Sequence, residues 1–385
     1  MAKKNKVNGF SSFLNNPVDF TLVITVLLLL SIGLVMLLSA SSPTSLQEYD
    51  NSYKYFLRQL VFAVLGLIAM YFISRIDYRI YQKFYKLAWW LSFFSLILVL
   101  VIGTDSHGAK RWIDLGFTTV QPSEFVKFFM IIFYAGILVK NRNDLGKFWK
   151  GLVKHLLFLV PIIGLLILEP HVSTSMVIII TCCVIIIMAG CKFWQFALSG
   201  IVAGGVVGAV ATILYFVNDA FQTRFQYIVT RVITFLDPWQ DVSNTGWQVI
   251  QSLYAIGSGG LFGVGLWDST QKYLYLPEPR NDFIFSVLAE ELGFVGCVFV
   301  FILFAIFIWR GILIAMKAPD MFGSLVAIGI TTLVGIQVII NVAVVTSSMP
   351  ATGMQLPFFS YGGTALFILL CEVGVLLSIS RAGAK

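Results

Sequence analysis

The chain has 385 residues, 58% of them hydrophobic and 12% charged, with a mean hydropathy of +0.89. Soluble proteins carry about 25% charged residues, so a water-soluble globule is excluded. The net charge of +7 could suit nucleic acid, but the Lys and Arg residues lie mostly in alternate loops, and no nucleic-acid partner is expected.

Along the chain, ten apolar runs are each long enough to cross a bilayer, which takes about 17–25 residues. They cover residues 20–40, 57–75, 87–103, 122–140, 152–168, 172–190, 193–217, 282–309, 322–346 and 361–380. The expected architecture is an all-α polytopic membrane protein of about ten transmembrane helices, with a tail at 1–19 and a large extracellular loop at 218–281 between the seventh and eighth. Lys3, Lys4 and Lys6 precede the first run as in a signal peptide. That run is long, and no small-residue cleavage site followed by a polar domain succeeds it, so it reads as a retained span.

Arg75, Arg79, Lys83, Lys86, Lys140, Arg142, Lys147, Lys150, Lys154, Lys192, Arg310, Lys317, Arg381 and Lys385 gather with the N-terminal lysines on one side. The positive-inside rule places that side, and both termini, in the cytoplasm. Cys182, Cys183, Cys191, Cys297 and Cys371 form no CxxC pair and have no His at ligand spacing, so neither a disulfide nor a metal cluster is expected. No internal repeat or low-complexity tract is evident. The stretch 218–281 contains Trp239, Trp247, Leu253, Tyr254, Ile256, Leu261, Phe262, Tyr273 and Tyr275. That is too apolar for disorder and predicts amphipathic helices and turns packed on the outer membrane surface.

The outer loop after the third run carries Lys110 and Arg111 beside Trp112. These cations either bind phosphate, for which Arg offers a fork and Lys a point charge, or snorkel to lipid headgroups. Gln121-Pro122-Ser123-Glu124 opens the fourth run as an ordinary helix start, with Pro and an acid in the first turn. Lys127 lies one turn deeper, where a charge needs a partner or a wet cavity. Glu169-Pro170-His171-Val172-Ser173-Thr174 is a tight turn between the fifth and sixth runs, and its lone His is weak evidence for catalysis.

The glycines from Gly257 to Gly265 lack the Gly-Lys-Ser/Thr ending and the strand-to-helix setting of a phosphate loop. They are expected to serve close backbone approach or positive-φ turns. Asp282 opens the eighth run, either as a helix cap or as a carboxylate on the floor of the long loop able to act as a general base; one residue could do both. Glu290 and Glu291 inside that run require cations such as Lys127 or a wet cavity. Ser360 and Tyr361 belong to the last outer loop.

These segments carry a resemblance: GAKRWI at 108–113, QPSEFVK at 121–127, AIGSGGLFGVGL at 255–266, QKYLYLPE at 271–278, DFIFSVLAEELG at 282–293 and LPFFSYGG at 356–363. In this order and at consistent depths, the chain resembles the SEDS family (shape, elongation, division and sporulation), more its FtsW/SpoVE branch than its RodA branch. The resemblance implies a single membrane domain over 1–385 that polymerises lipid II at the outer face of the bacterial cytoplasmic membrane. It also implies work beside a class B penicillin-binding protein and other divisome proteins, at the division septum or in sporulation. It places the essential carboxylate on Asp282 and charged family positions on Lys110, Arg111, Glu124, Lys127, Lys272 and Glu278. Substrate contacts are further expected from Trp112, Gln121, Ser123, Gln248, Ser252, Ser360 and Tyr361. The chain departs from the family at Glu169 and His171, where QPDLGT is usual, and at Arg280-Asn281, where His-Thr is usual.

The expected chemistry is removal of the acceptor 4-hydroxyl proton by Asp282, with Lys110 and Arg111, helped by Lys272, stabilising the leaving diphosphate. The sequence shows no Asp-x-Asp pair or other firm metal signature, although a divalent cation, Mg or Mn, could share the diphosphate. Two other classes compete: a lipid II flippase using Lys127, Glu290 and Glu291 along a polar path, and a division scaffold without catalysis. The flippase demands function from the midplane charges, and the enzyme demands it from Asp282.

Overall fold

The computed structural model describes residues 16–106, 109–114, 116, 119–169, 171–192, 194–196, 200, 233–241, 246–273 and 275–383. Its helices in chain order are α1 (Phe20–Tyr49), α2 (Lys54–Ile73), the short α3 (Arg79–Lys83), α4 (Tyr85–Ile102), α5 (Pro122–Lys140), α6 (Lys154–Leu168) and α7 (Val172–Met188). Then follow α8 (Trp247–Gly259), α9 (Ile284–Lys317), α10 (Met321–Val345) and α11 (Gly363–Gly383). Eight described helical segments are long and apolar enough to span a bilayer, and α7, at 17 residues, is a shorter apolar helix. The expected seventh span, 193–217, lies almost wholly outside the described residues.

The helix starts follow local chemistry. Asp19 caps α1 by accepting the Leu22 amide at 3.0 Å, Pro122 occupies the first turn of α5, and Asp320 caps α10 by accepting the Gly323 amide at 2.8 Å. The two Asp caps satisfy amides that no helical carbonyl can reach, and Pro122 has no amide to satisfy. α1 runs beyond the expected end at 40 to Tyr49, because the polar stretch after Ser39 stays helical with Ser39, Ser41 and Ser45 buried. It stops where Asp50 turns left-handed.

α1 packs on α9, α2 on α11, α4 on α5, and α10 on α5, α7 and α9. Polar links fix one end of this bundle: Arg310 pairs with Asp19 at 2.5 Å, Tyr78 donates to Asp320 at 2.5 Å, and Ser378 donates to the Ile76 carbonyl at 2.6 Å. This is the end that the basic loops assign to the cytoplasm. Leu57, Val61, Val64, Leu65 and Ile68 of α2 remain exposed along its outer side, as expected of residues that face lipid.

At the opposite end, the segment bearing Lys110 and Arg111 is an antiparallel three-stranded sheet, β1 (Thr104–Ser106), β2 (Ala109–Asp114) and β3 (Thr119–Val120), in the order β1-β2-β3. Thr104 pairs with Trp112 and Asp105 with Lys110, with a register irregularity between Thr104 and Asp105.

The expected eighth span is interrupted. Gly293 has φ 66 and ψ −168, breaking α9 one third of the way along. The break is filled by backbone from the glycine-rich segment. Val264 and Gly265 donate to the Glu290 and Glu291 carbonyls at 2.9 and 3.2 Å, while Phe294 and Val295 donate to the Gly260 and Leu261 carbonyls at 2.9 and 3.1 Å. Four backbone groups at the break thus gain partners, as a nonpolar environment demands. Gly263 is required by this approach, because a Cβ on it would stand 2.1 Å from the Glu291 carbonyl oxygen. The expected role of these glycines in close approach is what the structure displays.

Candidate active site

Asp282 lies half-buried just before α9, at the end of the bundle opposite the Asp19–Arg310 pair. It is not the helix cap. Phe283 takes that position and makes no cap bond with its own side chain. Asn341 of α10 holds the backbone here, donating to the Asp282 carbonyl at 2.8 Å and the Met354 carbonyl at 2.6 Å. Across from the carboxylate stands Gly353, with φ +68; a Cβ there would be 3.2 Å from Asp282 Oδ2.

The residues before Asp282 are fastened to the last outer loop. Ser360 donates to the Asn281 carbonyl at 2.6 Å and accepts from the Leu356 amide, while the Tyr361 amide donates to the Arg280 carbonyl at 2.8 Å. Asn281 donates to Glu278 Oε2 at 2.5 Å, and Glu278 adopts a positive φ of 51. The Arg280 guanidinium covers the Tyr55 ring at 4.0 Å and pairs with Glu48 at 3.4 Å. Tyr55 in turn meets the Tyr361 ring edge-to-face at 4.9 Å.

A second layer starts from β2. Arg111 Nε donates to the Glu169 carbonyl at 3.2 Å. Lys110 is placed by its pairing with Asp105, and the Trp112 carbonyl accepts from Thr104 at 3.2 Å. Gln121 and Ser123, expected on substrate, are buried against His171: Gln121 Nε2 is 3.4 Å from Nε2 and Ser123 Oγ 3.4 Å from Nδ1. Thr174 Oγ1 completes the ring of partners at 3.0 Å. Burial, then the positive charges of Arg111 and Lys127, hold the His171 imidazole down to about 3. Burial pushes the Glu169 carboxyl up to about 8 against the pull of Arg111. Ser173 donates to the Thr352 carbonyl, so this turn supports the loop that carries Gly353 to Asp282.

Lys127 pairs with Glu124 at 2.7 Å, and both are largely buried. They line a cavity of about 40 Å³ together with Ser360, Gln355, Gln337 and Glu372. Glu372 and Gln337 escaped the sequence reading. The available signal was a lone carboxylate in an otherwise apolar run, which membranes tolerate only beside a partner or water.

Three expectations change, while Glu291 does meet a cation as expected, Lys272 rather than Lys127. Glu291 pairs with Lys272 at 2.9 Å and accepts from Ser39 at 2.5 Å, while Glu290 accepts from Ser269 Oγ at 2.5 Å and the Thr270 amide at 2.9 Å. Lys272 is not positioned for a diphosphate: it is 2% exposed, and its ammonium contacts Glu291, Ser39 and the Trp267 carbonyl, using its three donors. Ser252 is likewise no surface contact, being fully buried between Ser286 Oγ and the Val345 carbonyl, each at 2.7 Å. Asp282 precedes α9 rather than capping it. Gln248 sits half-buried in the first turn of α8, which packs on α9.

The geometry defines a polytopic membrane protein with the Asp282 carboxylate at the end of its bundle opposite the basic loops. The chain belongs to the FtsW/RodA/SpoVE family, described as "Cell cycle protein", whose profile matches residues 20–385. It is 43% identical to Stage V sporulation protein E of Bacillus subtilis (strain 168) over 365 residues, covering 94% of this chain and 97% of that one. It is 38% identical to the probable peptidoglycan glycosyltransferase FtsW of Coxiella burnetii (strain RSA 493 / Nine Mile phase I), covering 94% and 96%. Among solved structures, a chain from a study of structural coordination of polymerization and crosslinking by a peptidoglycan synthase complex superposes with a TM-score of 0.77 at 29% identity, covering 95% and 98%. The rod shape determining protein RodA of Thermus thermophilus superposes with a TM-score of 0.68 at 26% identity, covering 95% and 97%.

Proposed function

We propose that this protein is a peptidoglycan glycosyltransferase that polymerises lipid II at the outer face of the bacterial cytoplasmic membrane, in division or sporulation, with both termini in the cytoplasm. The observation that carries the site assignment is the position of Asp282: a half-buried carboxylate beside Gly353, at the end of the bundle opposite the basic loops. Asp282 takes the proton of the acceptor sugar's 4-hydroxyl, and that oxygen bonds to the anomeric carbon of the donor. The bond from that carbon to the diphosphate breaks, and the diphosphate leaves with the electron pair. A single displacement inverts the anomeric centre.

Arg111 and Lys110 of β2 are the cations assigned to the developing diphosphate charge, an electrostatic role that matters most where water is excluded. Among the described residues no group of three or more His, Cys, Asp or Glu side chains is placed to hold a metal ion. A Mg or Mn ion held by the diphosphate would enter as part of the substrate. The partner in this reading is a class B penicillin-binding protein, together with other divisome proteins.

The flippase reading needed Lys127, Glu290 and Glu291 on one polar path. Instead, Glu290 and Glu291 are occupied by the 263–272 segment and Lys127 by Glu124, which favours the enzyme. The test is glycan-strand formation from lipid II by purified protein with its penicillin-binding protein, comparing wild type with Asp282→Asn.

A further inference from the structure

We infer that the cavity between the first turn of α4, the last turn of α5 and the first turn of α6 binds the headgroup of an anionic phospholipid of the inner leaflet. The cavity has a volume of about 270 Å³ and is bordered by Lys86, Lys140 and Lys154 over walls that include Trp89, Phe133 and Phe158. It lies at the same end of the bundle as the Asp19–Arg310 and Tyr78–Asp320 contacts, the end that the basic loops place in the cytoplasm.

The charge is one-sided. The lining contains three lysines and no Asp or Glu. All three are exposed, and none takes part in the ion pairs found among the described residues. The nearby acid Asp144 is paired with Lys147 at 2.7 Å. One of the lysines is also placed against its own helix: Lys86 lies in the first turn of α4, where the helix dipole disfavours a cation. Lys140, in the last turn of α5, is favoured by its helix. An anion in the cavity offsets what the α4 dipole opposes.

The walls identify the anion as amphiphilic. Trp89 Nε1 donates to the Phe158 carbonyl at 3.0 Å, so its indole has no donor left for a ligand and offers only ring surface. Phe133 meets Phe158 edge-to-face at 5.3 Å and Trp89 at 6.3 Å, fixing an apolar wall beneath the ammonium groups. A volume of 270 Å³ holds about nine waters at roughly 30 Å³ each. That accommodates a phosphodiester and the first methylenes of a chain, with the rest of the lipid lying along the bundle. Basic pockets between membrane helices on the cytoplasmic side are suited to such headgroups.

The test uses the full-length protein in vesicles and reads quenching of tryptophan fluorescence by lipids brominated on the acyl chains. Brominated phosphatidylglycerol is compared with brominated phosphatidylcholine at equal mole fraction, and Trp89→Phe/Trp90→Phe identifies the signal from the cavity. We expect phosphatidylglycerol to quench that signal saturably and more strongly. Each lysine near an anionic headgroup contributes about a fivefold preference, so Lys86→Gln/Lys140→Gln/Lys154→Gln should lower the preference by about tenfold or more. If the triple variant fails to elute as folded protein, Lys154→Gln alone should lose about fivefold. Equal quenching by the two lipids, or a preference that survives the lysine substitutions, overturns the proposal. Displacement of phosphatidylglycerol by inorganic phosphate would mark a free-phosphate site and overturn the lipid assignment as well.

Discussion

Gly353 lies against Asp282 so closely that a methyl group on it would stand 3.2 Å from the carboxylate oxygen Oδ2, and its φ of +68 is one that glycine adopts without strain. The loop between α10 and α11 therefore shapes the surroundings of the proposed base.

Gly353→Ala should disturb the carboxylate and strain the loop together. A shift of about 1 Å in a reacting group can cost about 100-fold in rate, a 3.2 Å contact displaces the carboxylate by only a few tenths of that, and a left-handed Ala costs about 1–2 kcal/mol. Polymerisation should fall by about 2- to 10-fold with a modest loss of stability. Turnover at the wild-type rate, measured on lipid II with folded protein, would show that this contact is unimportant.

The Lys272–Glu291 pair should behave as a buried ion pair. Lys272→Met leaves Glu291 buried without its cation and should destabilise the protein by about 3–5 kcal/mol. Lys272→Met/Glu291→Leu removes both charges and should recover most of that loss. Thermal unfolding of the detergent-purified variants decides, and a double variant no better than the single one would contradict the assignment.

Ser252 is assigned a structural role, since its hydroxyl joins Ser286 to the Val345 carbonyl. Ser252→Ala should cost about 1–3 kcal/mol of stability while leaving the KM for lipid II unchanged. A raised KM at unchanged stability would return this residue to the substrate surface.

Glu169 gives a pH dependence with a definite sign. Its carboxyl is pushed from an ordinary 4.5 up to about 8 in the fold, so the folded state retains a proton that the unfolded chain gives up. Stability from this group is present below about 4.5 and is lost as the pH rises through about 8. His171, lowered from 6.5 to about 3, works oppositely and costs stability as the pH falls below 6.5. Glu169→Gln removes only the first effect. Its melting temperature should match wild type near pH 4.5 and exceed it by about 4 °C or more above pH 8. A difference that does not grow with pH would mean that Glu169 is ionised in the fold.

Much of the fold was legible because bilayer crossing imposes long apolar runs that composition alone exposes, as in α2, α4 and α5. The break at Gly293 was not, since it depends on a backbone partner 30 residues earlier: Gly263 meets it only after folding. The position of Asp282 at the outer start of its helix was legible to within a residue, since the apolar run begins there, whereas the cap falls on Phe283. Lys272 could not be separated from Lys110 or Arg111 as a cation, because its commitment to Glu291 and Ser39 joins three distant segments. The contact of Arg280 with Glu48 and Tyr55 was hidden for the same reason. Glu372 was overlooked because an isolated carboxylate barely alters the hydropathy of its run, although its burial beside Lys127 and Glu124 makes it prominent in three dimensions.

The most direct measurement is polymerisation of lipid II by the purified protein with its class B penicillin-binding protein, comparing wild type and Asp282→Asn at equal folded amounts. The account predicts glycan strands from wild type and a loss of at least about 100-fold in the variant, the scale of a general base. Strands made by Asp282→Asn at the wild-type rate would contradict it.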